Sequence, residues 1–155
     1  MKNCATLLSI TALTALTAAC GTASNDDILG SWNCKSQMSE DGMTGSMDFD
    51  ITYVSSGKSS GMGTLILGAD GQRIDMDVAM NGEWNIHGDL LEETVSSISL
   101  ISASLNGTPL TGEQLDGMRA LIDPIMSAST SSKIQTMTAT QMILEESGEL
   151  ATCTR

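Results

Sequence analysis

The sequence is poor in basic residues, histidine and aromatic residues, and each shortage narrows the classes of protein that it can encode. Seven lysines and arginines face nineteen acids, which gives a net charge of −12 at neutral pH. A surface of that sign repels nucleic acid and anionic lipid, so we expect neither as a partner. Zinc sites need several His or Cys ligands. With one histidine, His87, the chain is expected to hold no metal and no cofactor.

The single histidine also bears on catalysis. His87 is predicted at the end of a strand, before Gly88 and Asp89, where a solvated side chain is the simple interpretation. No motif marks a nucleophile beside a positioned base. We therefore do not expect an enzyme.

Long hydrophobic runs are absent as well. The apolar stretch at residues 5–16 is shorter than the roughly 20 residues that a membrane-spanning helix needs. Lys2 precedes this stretch, and the small residues 17–19 and Cys20 follow it. A charged start, a short apolar core and a small-residue cleavage site predict a signal peptide over residues 1–19.

Cys20, directly after the small residues, resembles the lipobox cysteine of bacterial lipoproteins. Thr17 stands where that motif usually has leucine, with Leu16 one residue further out. Cleavage after Ala19 by the ordinary signal peptidase is the alternative. The resemblance implies an acylated Cys20, and Gly21 after it implies the outer membrane. Two or more acyl chains anchor a protein stably. We expect a lipidated tether over residues 20–28, a folded domain over 29–155 and a place in the cell envelope.

Export also determines how the remaining cysteines are interpreted. Cys34 and Cys153 lie near the two ends of the predicted domain. An oxidising compartment favours a disulfide between them.

From residue 28 onward the apolar residues recur mostly with period two, which predicts β-strands. We expect strands near residues 30–38, 47–53, 62–67, 74–80, 83–87, 90–104, 133–140, 141–146 and 149–154. Asp70-Gly71 predicts a tight hairpin, because this pair tolerates positive φ. Asn81-Gly82 predicts either another hairpin or a bulge. At residues 113–126 the spacing changes to three and four, which predicts one helix that Pro124 bends or ends. That helix would cover a barrel end or pack on the outer wall.

About eight antiparallel strands with one inserted helix predict a mainly-β barrel or sandwich. If the first and last strands pair with Cys34 opposite Cys153, Trp32 falls opposite Arg155 on the same face. An arginine stacked on a tryptophan contributes about 0.5–2 kcal/mol. Pairing of the first and last strands would close a barrel and remove its edges.

Two short motifs resemble the lipocalins. Gly30-x-Trp32 with Arg155 at the end of the last strand looks like the lipocalin signature. Gly82-x-Trp84-x-Ile86-x-Gly88-Asp89-x-Leu91 is similar to a pattern in small bacterial lipocalin-like lipoproteins. The inserted helix departs from the lipocalin order, in which the helix follows the last strand. The resemblance implies a lipocalin-like barrel that binds a small apolar ligand.

The expected ligand-lining residues are inward-facing and apolar or aromatic: Phe49, Tyr53, Met76, Met80 and Trp84. A packed core without a cavity is the alternative. The protein would then be an interaction module, such as a β-barrel protease inhibitor or an envelope assembly lipoprotein. Two carboxylate pairs, Asp48 with Asp50 and Asp75 with Asp77, are interpreted as the solvent face of a sheet, with calcium as the alternative.

Overall fold

A computed structural model describes residues 24–40, 42–125 and 129–155. The predicted signal peptide and Cys20 lie outside these residues. In chain order the elements are α1 (Asn25–Ile28), β1 (Gly30–Glu40), β2 (Met43–Val54), β3 (Lys58–Ala69), β4 (Gln72–His87), β5 (Leu90–Leu105), β6 (Thr108–Pro109), α2 (Glu113–Ile125), β7 (Ser129–Met137), β8 (Gln141–Glu146) and β9 (Glu149–Thr154).

The strands form one closed antiparallel sheet. Strands β1 to β5 make a meander, β5 continues to β7, and β7 to β9 complete the circuit back to β1. The two-residue strand β6 pairs only with the end of β5. Eight strands therefore close the barrel, which confirms the predicted mainly-β fold with an inserted helix.

The junction of β1 with β9 closes the barrel. Asn33 pairs with Thr154 and Cys34 with Cys153, so the opposed residues keep the register expected from the sequence. The Cys34–Cys153 disulfide, predicted from the sequence, joins the two strands. The guanidinium carbon of Arg155 lies 4.0 Å from the centre of the Trp32 ring. A covalent bond and a cation–π contact thus both stabilise the β1–β9 junction, called the seam below.

The segment before β1 packs on the barrel, whereas we predicted a tether up to residue 28. Ile28 is fully buried, and its carbonyl oxygen accepts a 2.7 Å hydrogen bond from Trp32 Nε1. Arg155 donates to the carbonyl oxygens of Asp27 and Leu29. Residues 24–28 therefore belong to the folded domain, because burying Ile28 and bonding the backbone outweighs leaving this polar stretch in solvent.

Two glycine-containing pairs, Asp70-Gly71 and Asn81-Gly82, determine the local backbone path in different ways. Asp70 and Gly71 both adopt positive φ, 51° and 75°, in the predicted β3–β4 hairpin. At Asn81-Gly82 the chain does not turn. One strand, β4, continues through it with a shift in register against β5. A Cβ on Gly82 would lie 2.7 Å from the Thr94 carbonyl oxygen, so the bulge requires the close backbone approach that glycine allows.

Helix α2 packs against β5, where the barrel wall is incomplete. The β5–β7 ladder covers only Leu90 to Thr94. Beyond it, Arg119 of α2 donates to the Leu100 carbonyl oxygen, and Leu115 and Met118 pack on the core. The helix therefore covers strand edge that would otherwise expose unpaired backbone groups.

The disulfide predicts a large stability difference on reduction. It joins residues 119 apart, and the chain-entropy model gives about 4–5 kcal/mol for a loop of this size. Cys34→Ala combined with Cys153→Ala should lower the free energy of unfolding in urea by up to about that amount. Reducing the wild-type protein should give the same loss, and reductant should leave the double variant unchanged. An unfolding midpoint that reductant does not move would contradict the bridge.

Candidate functional site

The barrel encloses a cavity of about 470 Å³. Its apolar wall includes Phe49 and Ile51 of β2, Met80 of β4 and the Cys34–Cys153 disulfide. The period-two pattern explains this wall, because alternate residues of a strand point to the same face of the sheet. The bridge that closes the barrel is thus also part of the cavity surface.

The cavity reaches from the middle of the barrel to one end. Its inner part is lined by Tyr53, and its rim includes Met38 of β1 and Ser147 in the β8–β9 turn. The other end is filled by Ile28 and Trp32, which are 0% and 1% exposed. The barrel is therefore packed at the end that carries α1 and hollow at the opposite end.

A glycine beneath an aromatic ring helps to leave this space open. Gly63 of β3 pairs with Phe49 of β2. A Cβ at Gly63 would lie 2.7 Å from Cγ of Phe49 and 2.2 Å from the Asp48 carbonyl oxygen. The Phe49 ring lies against the strand at Gly63, and a larger residue there would displace it.

A carboxyl group stands in the inner part of the cavity. Glu93 of β5 is half-buried and lines the cavity together with Tyr53. The Tyr53 hydroxyl donates a 2.9 Å hydrogen bond to Glu93 Oε1. The Tyr53 ring is held in turn by an edge-on contact with Trp84, with 5.6 Å between ring centres. This polar pair is positioned by packed aromatic residues.

Both groups of the pair titrate abnormally because of their surroundings. Burial raises the pKa of Glu93 above its ordinary value of 4.5, the Tyr53 hydrogen bond opposes that change, and the nearby Glu146 carboxylate adds to it. Burial, with the Glu93 charge beside it, raises the pKa of Tyr53 well above 10.0. Tyr53 therefore remains a hydrogen-bond donor at neutral pH. A carboxyl with a raised pKa inside an apolar cavity is a common feature of functional sites.

The structure brings together some of the residues predicted to line a ligand site and leaves out others. Phe49, Tyr53 and Met80 line the cavity. Met76 and Trp84 are buried at 3% and 7% exposure but do not line the cavity. Trp84 lies toward the α1 end, whereas Met76 lies on the other side of Met80 and packs between Leu65 and Ala103 of the neighbouring strands. Alternation identifies the inward face of a strand but not which of its inward residues border the cavity.

Glu93 was missed by sequence reasoning, although the sequence contained a signal. Leu91, Glu93 and Val95 are alternate residues of one strand. Leu91 is fully buried, and Val95 lines the cavity. A charged residue in the inward register of a strand is unusual enough to mark a site.

The other chemical candidates lie on the outer surface. Asn33 Nδ2 donates to both Asp48 and Asp50, at 2.9 and 3.0 Å. Asp75 binds Arg73 through its side chain. His87 is exposed at the end of β4. The carboxylate pairs are therefore satisfied by neighbouring side chains on the solvent face of the sheet.

The described residues hold neither a metal-binding cluster nor a membrane-spanning helix. Among residues 24–40, 42–125 and 129–155, no group of three or more His, Cys, Asp or Glu side chains is arranged to hold a metal. In the same ranges, no helix has the length and apolar character that crossing a membrane requires.

The fold and the cavity define a closed eight-stranded antiparallel barrel with a ligand-sized interior space. The sequence matches no protein-family model and no curated protein. Among solved structures, the chain is similar to a lipocalin-like protein from Bacteroides uniformis, with 14% identity and a TM-score of 0.47. The alignment covers 83% of this chain and 98% of that one.

The raised pKa of Glu93 predicts a pH-dependent gain in stability for Glu93→Gln. The folded protein holds this proton to higher pH than the unfolded chain, whose value is near 4.5. Folding stability therefore falls as pH rises from about that value through the folded-state pKa. Glu93→Gln has no carboxyl at this position and so does not lose folding stability in this way. It should unfold at a higher urea concentration at about pH 7 and match the wild type at about pH 4.

The adjacent Glu92→Gln serves as a control, since the Glu92 side chain is exposed on the outer face of β5. Glu92→Gln should leave the change in urea-unfolding midpoint between about pH 4 and about pH 7 as it is in the wild type. A Glu93→Gln protein that is no more stable than the wild type at neutral pH would contradict the assignment.

Proposed function

We propose that this protein binds a small ligand with an apolar body inside the barrel. The observation that carries the proposal is the 470 Å³ cavity with its apolar wall and one positioned polar pair. Ligand sites typically have volumes of roughly 300–1,000 Å³, mostly apolar walls and a few placed polar groups. Binding without chemistry is the form that we favour.

The cell envelope is the proposed location, with Cys20 as a lipid-bearing residue in an outer membrane. The order of Lys2, the apolar stretch and the small residues before Cys20 supports export. A disulfide-bonded domain is consistent with an oxidising compartment.

The position of α1 determines how an anchored barrel would face the membrane. Ser24 is four residues after Cys20, and an extended chain spans at most about 3.6 Å per residue. The packed end with α1 would therefore lie within about 14 Å of the lipid attachment. Because β1 leads from α1 to Met38 at the rim, the cavity mouth would point away from that membrane. The ligand would be exchanged with the aqueous phase or with a partner protein.

Filling the cavity should abolish binding. Ala151 of β9 lines the cavity, and the neighbouring Thr152 is exposed on the outer face. Ala151→Trp should prevent the saturable fluorescence increase of a neutral naphthyl probe, while Thr152→Trp should retain it. Circular dichroism would establish that both variants are folded. If the wild type shows no saturable binding of neutral apolar probes, the carrier proposal fails and the protein-interaction alternative gains support.

Lipidation is tested separately from ligand binding. Radioactive palmitate fed to producing bacteria should label the wild-type protein, and Cys20→Ser should lose the label and leave the membrane fraction. Cys34→Ser should retain the label, because that residue belongs to the domain disulfide. Palmitate labelling that survives in Cys20→Ser would overturn the assignment of this anchor.

A further inference from the structure

The charged side chains around the cavity are unevenly distributed. Glu93 stands inside, and Glu146 and Glu149 lie exposed at the β8–β9 end of the same cavity. Lys35 is the basic residue among the described lining residues. Its ammonium is 2.8 Å from Asp48 on the outer surface, so it does not offset the carboxylates. The cavity and its rim are thus negatively charged within a chain of net charge −12.

Glu93 offers unused hydrogen-bonding capacity toward the cavity. A carboxylate has two oxygens that accept hydrogen bonds, and among the described residues Tyr53 is the one side chain that donates to Glu93. Placing a carboxylate in apolar surroundings is costly unless a donor or a cation compensates it. No basic side chain of the described residues pairs with Glu93.

These observations distinguish between ligand classes. A carboxylate ligand would meet three like charges, and like-charge contacts disfavour binding. An uncharged ligand would leave the Glu93 charge uncompensated. A metal ion would need several convergent oxygens, and the described residues contain no such group. A protonated amine supplies both a positive charge and hydrogen-bond donors.

We infer that the ligand is an amine with an apolar body, its ammonium group bound by Glu93 and its body lying along Phe49, Ile51 and Met80. This inference rests on the proposed ligand binding and specifies its chemical class. Tyr53 acts as a positioning residue, because its hydroxyl fixes Oε1 of Glu93 and leaves the second oxygen for the ligand. The acidic rim raises the local concentration of cations at the mouth.

The test compares three probes with the same chain and different polar groups: dodecylamine and dodecanoate below their micellar concentrations, and dodecanol below its solubility limit. Calorimetry on the wild-type protein should give the tightest binding for dodecylamine, by about tenfold or more over dodecanol, as expected for a charged hydrogen bond. Dodecanoate should bind most weakly. Equal or tighter binding of dodecanoate would overturn the amine inference and leave apolar ligand binding intact. If dodecanol and the other two probes all fail to bind, the proposed function fails as well.

Two variants distinguish the contribution of the Glu93 carboxylate to dodecylamine affinity from the general attraction of a cation to an acidic protein. Glu93→Gln should lower dodecylamine affinity about tenfold and leave dodecanol affinity nearly unchanged. Glu92→Gln removes the same charge from the adjacent outer-face position and should leave both affinities unchanged. Equal losses of dodecylamine affinity in the two variants would overturn the role of Glu93.

A pH titration of the wild-type protein tests the same inference without a substitution, and so does not depend on the folding of Glu93→Gln. The groups that face Glu93 are Tyr53 of β2 and Glu146 of β8, with Glu149 of β9 at the rim. Since the Glu93 pKa is raised above 4.5, dodecylamine affinity should fall as the pH is lowered through that raised value, while dodecanol affinity stays flat. A flat dodecylamine profile down to about pH 4 would overturn the inference.

Discussion

The pairing of β1 with β9 is the constraint on which the rest of the structure depends. Without it the sheet would have two open edges, and the strands would not enclose an interior. Two interactions of different kinds hold this seam, the Cys34–Cys153 disulfide and the stacking of Arg155 on Trp32. Arg155 also bonds backbone carbonyls of the segment before β1. Closure therefore determines where the N-terminal segment packs and which end of the barrel is sealed.

The two ends of the barrel differ because their inward side chains differ in size and flexibility. Trp32 and Ile28 fill the end beside α1, and the Trp32 indole nitrogen finds its acceptor there. Besides Phe49 and Tyr53, the wall of the cavity carries smaller or more flexible side chains such as Met47, Met80 and Ala151. Methionine adapts to irregular spaces and to ligands. With so few aromatic residues, the chain can fill one end of its barrel, and the remaining volume becomes the cavity.

The sequence predicts the architecture well, because each part of it depends on local rules. Period-two alternation identifies the strands, and Asp70-Gly71 specifies a hairpin through its allowed φ values. For the closing strands, the sequence allowed Cys34 directly opposite Cys153 or a staggered pairing, and the structure has the first of these. Three features depended on tertiary context: the docking of α1, the bulge at Gly82 and the depth of each inward residue along the axis. Ile28 is an example of such dependence on tertiary context. A polar stretch with one isoleucine has the composition of a linker, and only the folded barrel shows that the Ile28 side chain is buried at the packed end.

Glu93 is a residue that lowers folding stability at neutral pH and that the proposed ligand binding requires. An apolar residue in the inward register of β5 would suit the core better than a carboxyl whose pKa is raised by burial. Among the described residues, no basic side chain pairs with it. Instead, Tyr53 holds one oxygen in place and Trp84 holds Tyr53. In the proposed function, a ligand completes the interactions of this destabilising group, which its neighbours hold in one orientation.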